Sequence, residues 1–338
     1  MSGSVPLGSN LIVRSPNWLG DAIMTLPALA WLRQTIPADT KISVLSPANL
    51  MPFWKVVPGI DQVLSLPSNL WIAIGQIRSQ QFSSAIIFPN SLRTGLEMFL
   101  AGVPVRIAYS GHHRKALLTQ VFEKPKSYIP EHQLWHYLHL VCPALGQEVP
   151  KVPLIPKLQL SASPPSDKPF LALCPGAEYG PAKRWPVERF AEAANKLAAD
   201  FNLEVVLLGG PRDEETSAQV AKLISGPVKN LTGKTSLTEF MTFLANANLV
   251  LCNDSGAMHL ASLLRTKGVA IFGSTEPSLT GPLTPSVSVL RDHVPCSPCF
   301  LRECPIDFRC MNSISVGQVL QSAQNLLQGA PRPASISS

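Results

Sequence analysis

Asp21 follows a glycine a few residues beyond the apolar run Asn10–Arg14, in the stretch Ser15-Pro16-Asn17-Trp18-Leu19-Gly20-Asp21. A carboxylate about 3 Å from a hydroxyl can take its proton as that oxygen forms a bond. The competing reading is an ordinary acidic residue in the first turn of a helix, and the residues alone leave both open. Asn253-Asp254-Ser255-Gly256-Ala257-Met258-His259 carries a different chemistry. Ser255 is placed to cap a helix, and the free N–H groups from Gly256 onward, with the helix dipole, make an anion site suited to a diphosphate. His259 lies one helical turn after Ser255 and shares its side. A plain capped helix with a satisfied histidine is the alternative. Lys183 and Arg184 lie in a Gly- and Pro-containing loop, Pro175–Pro186, where a point charge and a planar fork can neutralise phosphate oxygens. In Gly209-Gly210-Pro211-Arg212-Asp213-Glu214-Glu215 the acidic residues either hold ribose hydroxyls or merely begin a helix.

Two further sets have ligand-like spacing. Cys296, Cys299, Cys304 and Cys310 follow a C-x2-C-x4-C-x5-C pattern that can form a tetrahedral zinc site or hold an iron–sulfur centre, although a zinc ribbon pairs two C-x2-C knuckles. Such a site would be structural, and free thiols are the alternative. Cys142, Cys174 and Cys252 sit in apolar surroundings and read as buried small residues. His132, His136 and His139 share one helical face, but Trp135 and Tyr137 between them favour packing over metal.

These residues need elements to position them. Strands are expected at Leu11–Arg14, Lys41–Leu45, Gln62–Ser65, Ser84–Phe88 and Arg106–Tyr109, and helices at Asp21–Gln34, Trp71–Ser79 and Ser91–Ala101. Pro27 should kink the first helix or follow a loosened first turn. Residues 150–169 hold six prolines and three serines and read as a linker. Beyond it the rhythm restarts. Strands are expected at Phe170–Cys174, Glu204–Leu208, Leu249–Cys252 and Val269–Phe272, and helices at Val187–Asp200, Glu214–Ile224, Ser236–Ala245 and Ala257–Leu264. The expectation is an α/β chain of two Rossmann-like doubly wound domains, residues 1–160 and 170–328, facing each other across a cleft, with a flexible tail at 329–338. No sequence repeat links the halves. Each polar motif falls at the carboxyl end of a strand, where open α/β sheets bind ligands.

Composition narrows the class. Hydrophobic residues make up 46% and charged residues 15%, which disfavours disorder and leaves room for a large core. No apolar run reaches the roughly 18 residues of a membrane span, and the N-terminus lacks a signal peptide's basic and apolar regions. A soluble cytoplasmic protein is expected. The net charge of +6 lies entirely in the first half: residues 1–160 carry 13 Lys/Arg against 7 Asp/Glu, the rest 15 against 15. A basic half suits an anionic partner or is a surface bias. Nucleic acid is a poor candidate, because no recognition helix or stacking motif accompanies the charge. Neither the dinucleotide G-x-G-x-x-G nor the Walker G-x-x-x-x-G-K-[ST] pattern occurs, which counts against NAD dehydrogenases and P-loop enzymes.

Five motifs together resemble the ADP-heptose–lipopolysaccharide heptosyltransferases: N-W-L-G-D-A-I-M-T-L-P-A-L at 17–29, F-P-N-S at 88–91, P-G-A-E-Y-G-P-A-K-R-W-P at 175–186, N-D-S-G-A-M-H at 253–259 and F-G-S-T-E-P at 272–277. They occur in the family's order, and the likeness runs from about residue 10 to 325. The Asn17-Trp18 and Phe88–Ser91 forms look more like heptosyltransferase II than heptosyltransferase I. The resemblance implies a GT-B glycosyltransferase with an N-terminal acceptor domain and a C-terminal ADP-heptose domain. It implies inverting transfer of L-glycero-D-manno-heptose to the first inner-core heptose of heptosyl-Kdo2-lipid A.

Carried over residue by residue, the resemblance makes Asp21 the catalytic base and Lys183 the partner of the leaving diphosphate. Asp254, Ser255, Gly256 and His259 fall in the donor pocket, with Glu214 at the ribose and Thr235 at the adenine. Asn17, Asn90, Arg93 and Arg114 fall on the acceptor side. It implies no cofactor for catalysis, and the absence of a D-x-D motif agrees with that. Arg93, Arg106, Arg114 and Lys115 become candidates for a face toward Kdo carboxylates, lipid A phosphates and the cytoplasmic leaflet of the inner membrane. Other readings remain: heptosyltransferase I, a GT-B enzyme for another nucleotide sugar, or a nucleotide-sugar 2-epimerase.

Overall fold

The computed structural model describes residues 5–111, 113–125, 131–160, 166 and 168–329. The chain divides into two compact units, residues 1–159 and 160–338. The anticipated tail falls outside the described residues except for Gly329, as do positions 161–165 and 167 of the proline-rich stretch.

The first unit runs β1 (Asn10–Arg14), α1 (Leu19–Met24), α2 (Leu26–Thr35), β2 (Lys41–Ser46), α3 (Met51–Trp54), β3 (Gln62–Ser65), α4 (Leu70–Ser79), β4 (Ser84–Ile87), α5 (Leu92–Leu100), β5 (Val105–Tyr109), β6 (Gln120–Phe122) and α6 (Gln133–Ala144). Its strands form one parallel sheet in the order β3-β2-β1-β4-β5-β6. The chain winds outward from β1 to one edge, then returns to β4 and winds to the other. The switch point therefore lies between β1 and β4. Ile12, Ala85 and Ile87 of the central strands pack against Ile74 and Ile77 of α4 and Met98 of α5 on one face.

The expected single helix over Asp21–Gln34 is two. α1 ends at Met24, Thr25 returns its hydroxyl to Ala22 O at 2.7 Å, and Pro27 sits in the first turn of α2. Proline lacks an N–H to donate and is tolerated in a first turn, where that donor has no partner anyway. The helix thus breaks where the sequence suggested a kink.

The second unit runs β7 (Phe170–Cys174), α7 (Val187–Phe201), β8 (Glu204–Leu207), α8 (Glu214–Leu223), β9 (Val228–Asn230), α9 (Leu237–Asn246), β10 (Leu249–Asn253), α10 (Gly256–Leu263), β11 (Gly268–Ile271), α11 (Pro277–Thr280), β12 (Val287–Leu290), α12 (Arg309–Asn312) and α13 (Val316–Leu327). Its parallel sheet has the order β12-β11-β10-β7-β8-β9. Read from β9, this is the strand order of the first unit, with the switch point between β7 and β10. Alternate strand residues point to opposite faces. Leu171, Leu173, Leu249, Leu251, Val269 and Ile271 accordingly meet Phe190 and Leu197 of α7 and Val319 of α13. Truncating one such buried leucine to alanine costs roughly 2–5 kcal/mol. α7 ends at Asn202 in the left-handed conformation (φ 51°), a role asparagine fills more easily than most residues.

Candidate functional site

In the first unit, the loops leaving β1 and β4 line a cavity of about 300 Å³ at the switch point. Asp21, in the first turn of α1, faces it together with Asn17, Trp18, Asn90, Lys124 and His136. Gln133 of α6 donates one amide Nε2 to Asp21 Oδ1 at 3.0 Å and to Tyr137 Oη at 3.0 Å. Burial, reinforced by the nearby Asp21 charge, pushes the Tyr137 phenol up, so it stays neutral across the physiological range. Burial also lowers the His136 imidazole, helped by Lys124 and His139. Among the described residues, the pocket sets the Asp21 carboxylate beside a neutral amide with Lys124 at its rim, an arrangement suited to receiving a hydroxyl proton.

The pocket's other polar groups are held from behind. Arg14, buried at the end of β1, pairs with the fully buried Glu97 at 3.1 Å and donates to Asn17 Oδ1 at 3.3 Å. Arg93 completes the pair from outside, 3.0 Å from Glu97, and also donates to Ser68 O at 2.7 Å. Asn90 lies against Gly111, where an added Cβ would displace its amide.

Arg114, expected to meet the acceptor and an anionic membrane, is fully buried. It donates to Pro89 O at 2.5 Å, Tyr109 O at 3.0 Å and Thr94 Oγ1 at 3.1 Å, and burial pushes it down to about 10. That expectation is corrected: Arg114 braces the loop carrying Asn90 and is out of an acceptor's reach. Arg106 likewise donates to Leu117 O at 2.6 Å while its guanidinium lies 5.3 Å from the Phe99 ring centre.

In the second unit, the loops leaving β7 and β10 meet at the matching switch point. Lys183 Nζ lies 2.5 Å from Asp254 Oδ2, which also accepts from Thr275 Oγ1 at 2.5 Å. Nζ sits 4.6 Å from the Tyr179 ring centre. Asn253 ties the two loops together: its Oδ1 accepts from Trp185 N at 3.0 Å and its Nδ2 donates to Pro175 O at 2.7 Å. Gly180 has φ 151°, and a Cβ there would strike Arg302 O, so the loop requires glycine. α10 starts at Gly256, with His259 buried in its first turns.

Ser255 departs from expectation. It is the N-cap in extended conformation, but its side chain makes no capping hydrogen bond. The neighbouring Asp254 carboxylate is drawn to Lys183 and Thr275, across the strand ends. Glu214 opens α8 and presses on Gly233, whose φ of 73° turns the chain toward Thr235. The loops after β8 and β9 are thereby brought together, with Glu214 and Thr235 on them.

The cysteine pattern does not form a metal site. No group of three or more His, Cys, Asp or Glu side chains is placed to hold a metal among the described residues. The four thiols are close enough for Cys296, Cys299 and Cys304 to raise Cys310, after its burial, yet all are free. Cys304 Sγ instead accepts Phe308 N at 3.3 Å. The segment acts through its backbone and neighbours. Arg302 O accepts Ala182 N at 3.0 Å, Phe300 O accepts Tyr179 Oη at 2.6 Å, and Phe300 N donates to Ser274 O at 2.8 Å. It braces the Lys183 loop. The histidines are also accounted for without metal: His132 Nδ1 accepts Leu134 N at 3.2 Å, His136 stacks beside Tyr109, and His139 lies 3.4 Å from Glu131.

Sequence reasoning missed Gln133, Tyr137, Asn253, Thr275 and Tyr179. Asn253, Thr275 and Tyr179 lie within motifs already singled out. Gln133 reaches Asp21 across 112 residues of sequence, and no local signal marks it.

Two parallel six-stranded sheets of one shared strand order, each with its polar side chains at a switch point, are those of the GT-B class of glycosyltransferases. Residues 71–308 match glycosyltransferase family 9 (heptosyltransferase), and the chain belongs to that family. It is 30% identical to lipopolysaccharide heptosyltransferase 2 of Escherichia coli K12, over 83% of this chain and 87% of the relative. It is 26% identical to lipooligosaccharide heptosyltransferase 2 of Campylobacter jejuni serotype O:2, over 95% and 99%. Its fold superposes on the structure of E. coli ADP-heptose lps heptosyltransferase II with a TM-score of 0.83 at 28% identity, covering 95% of this chain and 99% of that one.

Proposed function

We propose that this chain moves L-glycero-D-manno-heptose from ADP-heptose to the first heptose of the lipopolysaccharide inner core, with inversion. The likeness to heptosyltransferase 2 over most of both chains supports the substrates. The observation that carries the chemistry is Asp21, held by a neutral amide at the switch-point cavity. Residues 1–160 serve the acceptor and 170–328 the donor. Asp21 takes the acceptor hydroxyl's proton while that oxygen attacks the anomeric carbon and the bond to the diphosphate breaks. Lys183 and the N-terminus of α10, from Ser255 and Gly256, receive the charge growing on ADP, so no metal is needed for the step. Asp254 keeps Lys183 in place until the diphosphate shares it. His259 borders the same pocket, and Glu214 and Thr235 take the ribose and adenine. Asn17, Asn90 and Arg93 serve the acceptor sugar directly or through the Arg14–Glu97 pair.

The acceptor is lipid-borne, so the enzyme works at the cytoplasmic face of the inner membrane as a peripheral protein. No helix among the described residues is long and apolar enough to cross a membrane. ADP release from ADP-heptose in EDTA tests the reading, with no acceptor, Kdo2-lipid A or heptosyl-Kdo2-lipid A. Release only with the heptosylated acceptor is expected. Release with Kdo2-lipid A would reassign the chain to the first transfer, and none with any acceptor would send the search to other nucleotide sugars.

A further inference from the structure

We infer that the outer face of α4 and α5 in the first unit docks on an anionic lipid surface. This deepens the reading above, on which it rests only for the lipid-borne acceptor. Single exposed apolar residues are ordinary on a protein surface. Here they adjoin. Trp71 is 71% exposed and Ile72 62% on α4, and Leu92 is 44% and Phe99 43% on α5. The two helices lie side by side in the same sense. Arg93 of α5 donates to Ser68 O just before α4, and Arg78 at the end of α4 donates to Leu100 O at the end of α5. Both pack their buried sides on the same sheet face.

The charge around this face has one sign. Residues 62–122 contain five Lys/Arg and a single acidic residue, Glu97. That carboxylate is fully buried between Arg14 and Arg93. Arg78 and Lys115 are exposed, and Arg106 lies over the Phe99 ring. Lys115 begins a turn that reaches α5, since Leu117 lies 3.3 Å from a Cβ added at Gly95. Aromatic and aliphatic side chains ringed by cations, with no exposed carboxylate from this stretch, match a headgroup layer bearing negative charge. A second copy of the chain fits less well, because two such basic faces would repel. Nucleic acid fits less well too, because Ile72 and Leu92 offer no stacking surface.

Vesicle sedimentation of the full chain tests this, with phosphatidylcholine alone and with added phosphatidylglycerol. The expected result is salt-sensitive binding only to the anionic vesicles. Trp71→Ser with Phe99→Ser, and separately Arg78→Glu, should each weaken it roughly tenfold or more. Melting temperature checks that both variants fold, and turnover on a deacylated, water-soluble acceptor should stay within about twofold of the wild type. Wild-type indifference to anionic vesicles, binding unchanged in both variants, or a dimer in solution that the aromatic pair dissolves would each overturn the assignment. Vesicle binding that follows expectation with no wild-type turnover on the soluble acceptor would instead overturn the functional reading and leave the docking face standing.

Discussion

The two units share a strand order and place their polar groups at the same topological position, yet they hold opposite charges there. In the first, a carboxylate, Asp21, accepts from the neutral amide of Gln133, and the Tyr137 phenol is kept neutral. In the second, a cation, Lys183, is held by a carboxylate, Asp254, that a threonine hydroxyl also contacts. A base is most useful when its partner adds no positive charge, which would weaken its pull on a proton. A phosphate-binding lysine needs positioning but must be able to exchange its partner for a ligand. On the proposed roles, one topology would serve proton removal and leaving-group stabilisation, and among the described residues the difference lies in what stands beside each charged group.

The largest expected effect comes from erasing the charge in the first unit. Asp21→Asn preserves shape and removes the proton acceptor, so turnover should fall by about 10²–10⁴-fold, with ADP-heptose affinity near that of the wild type. Calorimetry with donor alone and kinetics with both substrates separate the two quantities, and retained turnover would remove Asp21 from the role. Next is the second unit. Lys183→Ala should lower kcat by roughly 10²-fold and also weaken donor binding, as the proposed contact of Lys183 with the diphosphate before and during bond breaking requires. Kinetics like the wild type's would place the phosphate site elsewhere. If both variants lost only donor affinity, the contrast between the units would collapse.

A third variant probes the support. Gln133→Glu puts a second carboxylate about 3 Å from Asp21, and two such groups do not both ionise easily. Turnover near pH 6 should fall about tenfold and recover as pH rises, whereas Gln133→Leu should lower turnover with a smaller change in the pH profile. Among the described residues, the titratable and amide groups around Asp21 include Gln133, Tyr137 and His136 of α6 and Lys124 of the loop after β6. A Gln133→Glu profile parallel to the wild type's at every pH would reduce Gln133 to a packing residue.

What could be read in the sequence follows the range of the interactions. The central strands were legible because burial on both faces leaves continuous apolar runs such as Leu171–Cys174 and Leu249–Cys252. Of the edge strands, β3 was legible at Gln62–Ser65, whereas β6, β9 and β12, no longer than it and mostly only partly buried, were not. α13 carried a usable signal in Ser315 and Gln318, which form a reciprocal capping box. Strand-end positions of Asp21, Lys183 and Asp254 were legible from motif and rhythm together. Their partners were harder to see. Nothing local distinguishes Arg114, buried among carbonyls, from an arginine facing a ligand, and the cysteine spacing could not show that Arg302 and Phe300 brace the Lys183 loop through their carbonyls.

The mildest test sets one substitution against itself. Asp213, like Asp21, lies just beyond a strand end, but its surroundings differ. Gly210 N donates to its Oδ2 at 3.1 Å, its Oδ1 is buried without a hydrogen bond, and a Cβ at Gly176 would collide with it. Burial raises its carboxyl, against the pull of the Gly210 N–H and Arg184. A folded value above the unfolded one favours the protonated form. The contribution to stability is present below the unfolded value, near 3.9, and is lost as pH rises through the folded value. At neutral pH the ionised group is therefore held at a cost that an amide avoids. Asp213→Asn should raise the melting temperature by roughly one or two degrees at pH 7, and the gain should vanish by about pH 3. Calorimetric scans across that range check the sign. A loss of stability at pH 7 would mean that Arg184 and the Gly210 N–H outweigh burial. The carboxylates of the two units would then differ in task but not in how the fold bears their charge.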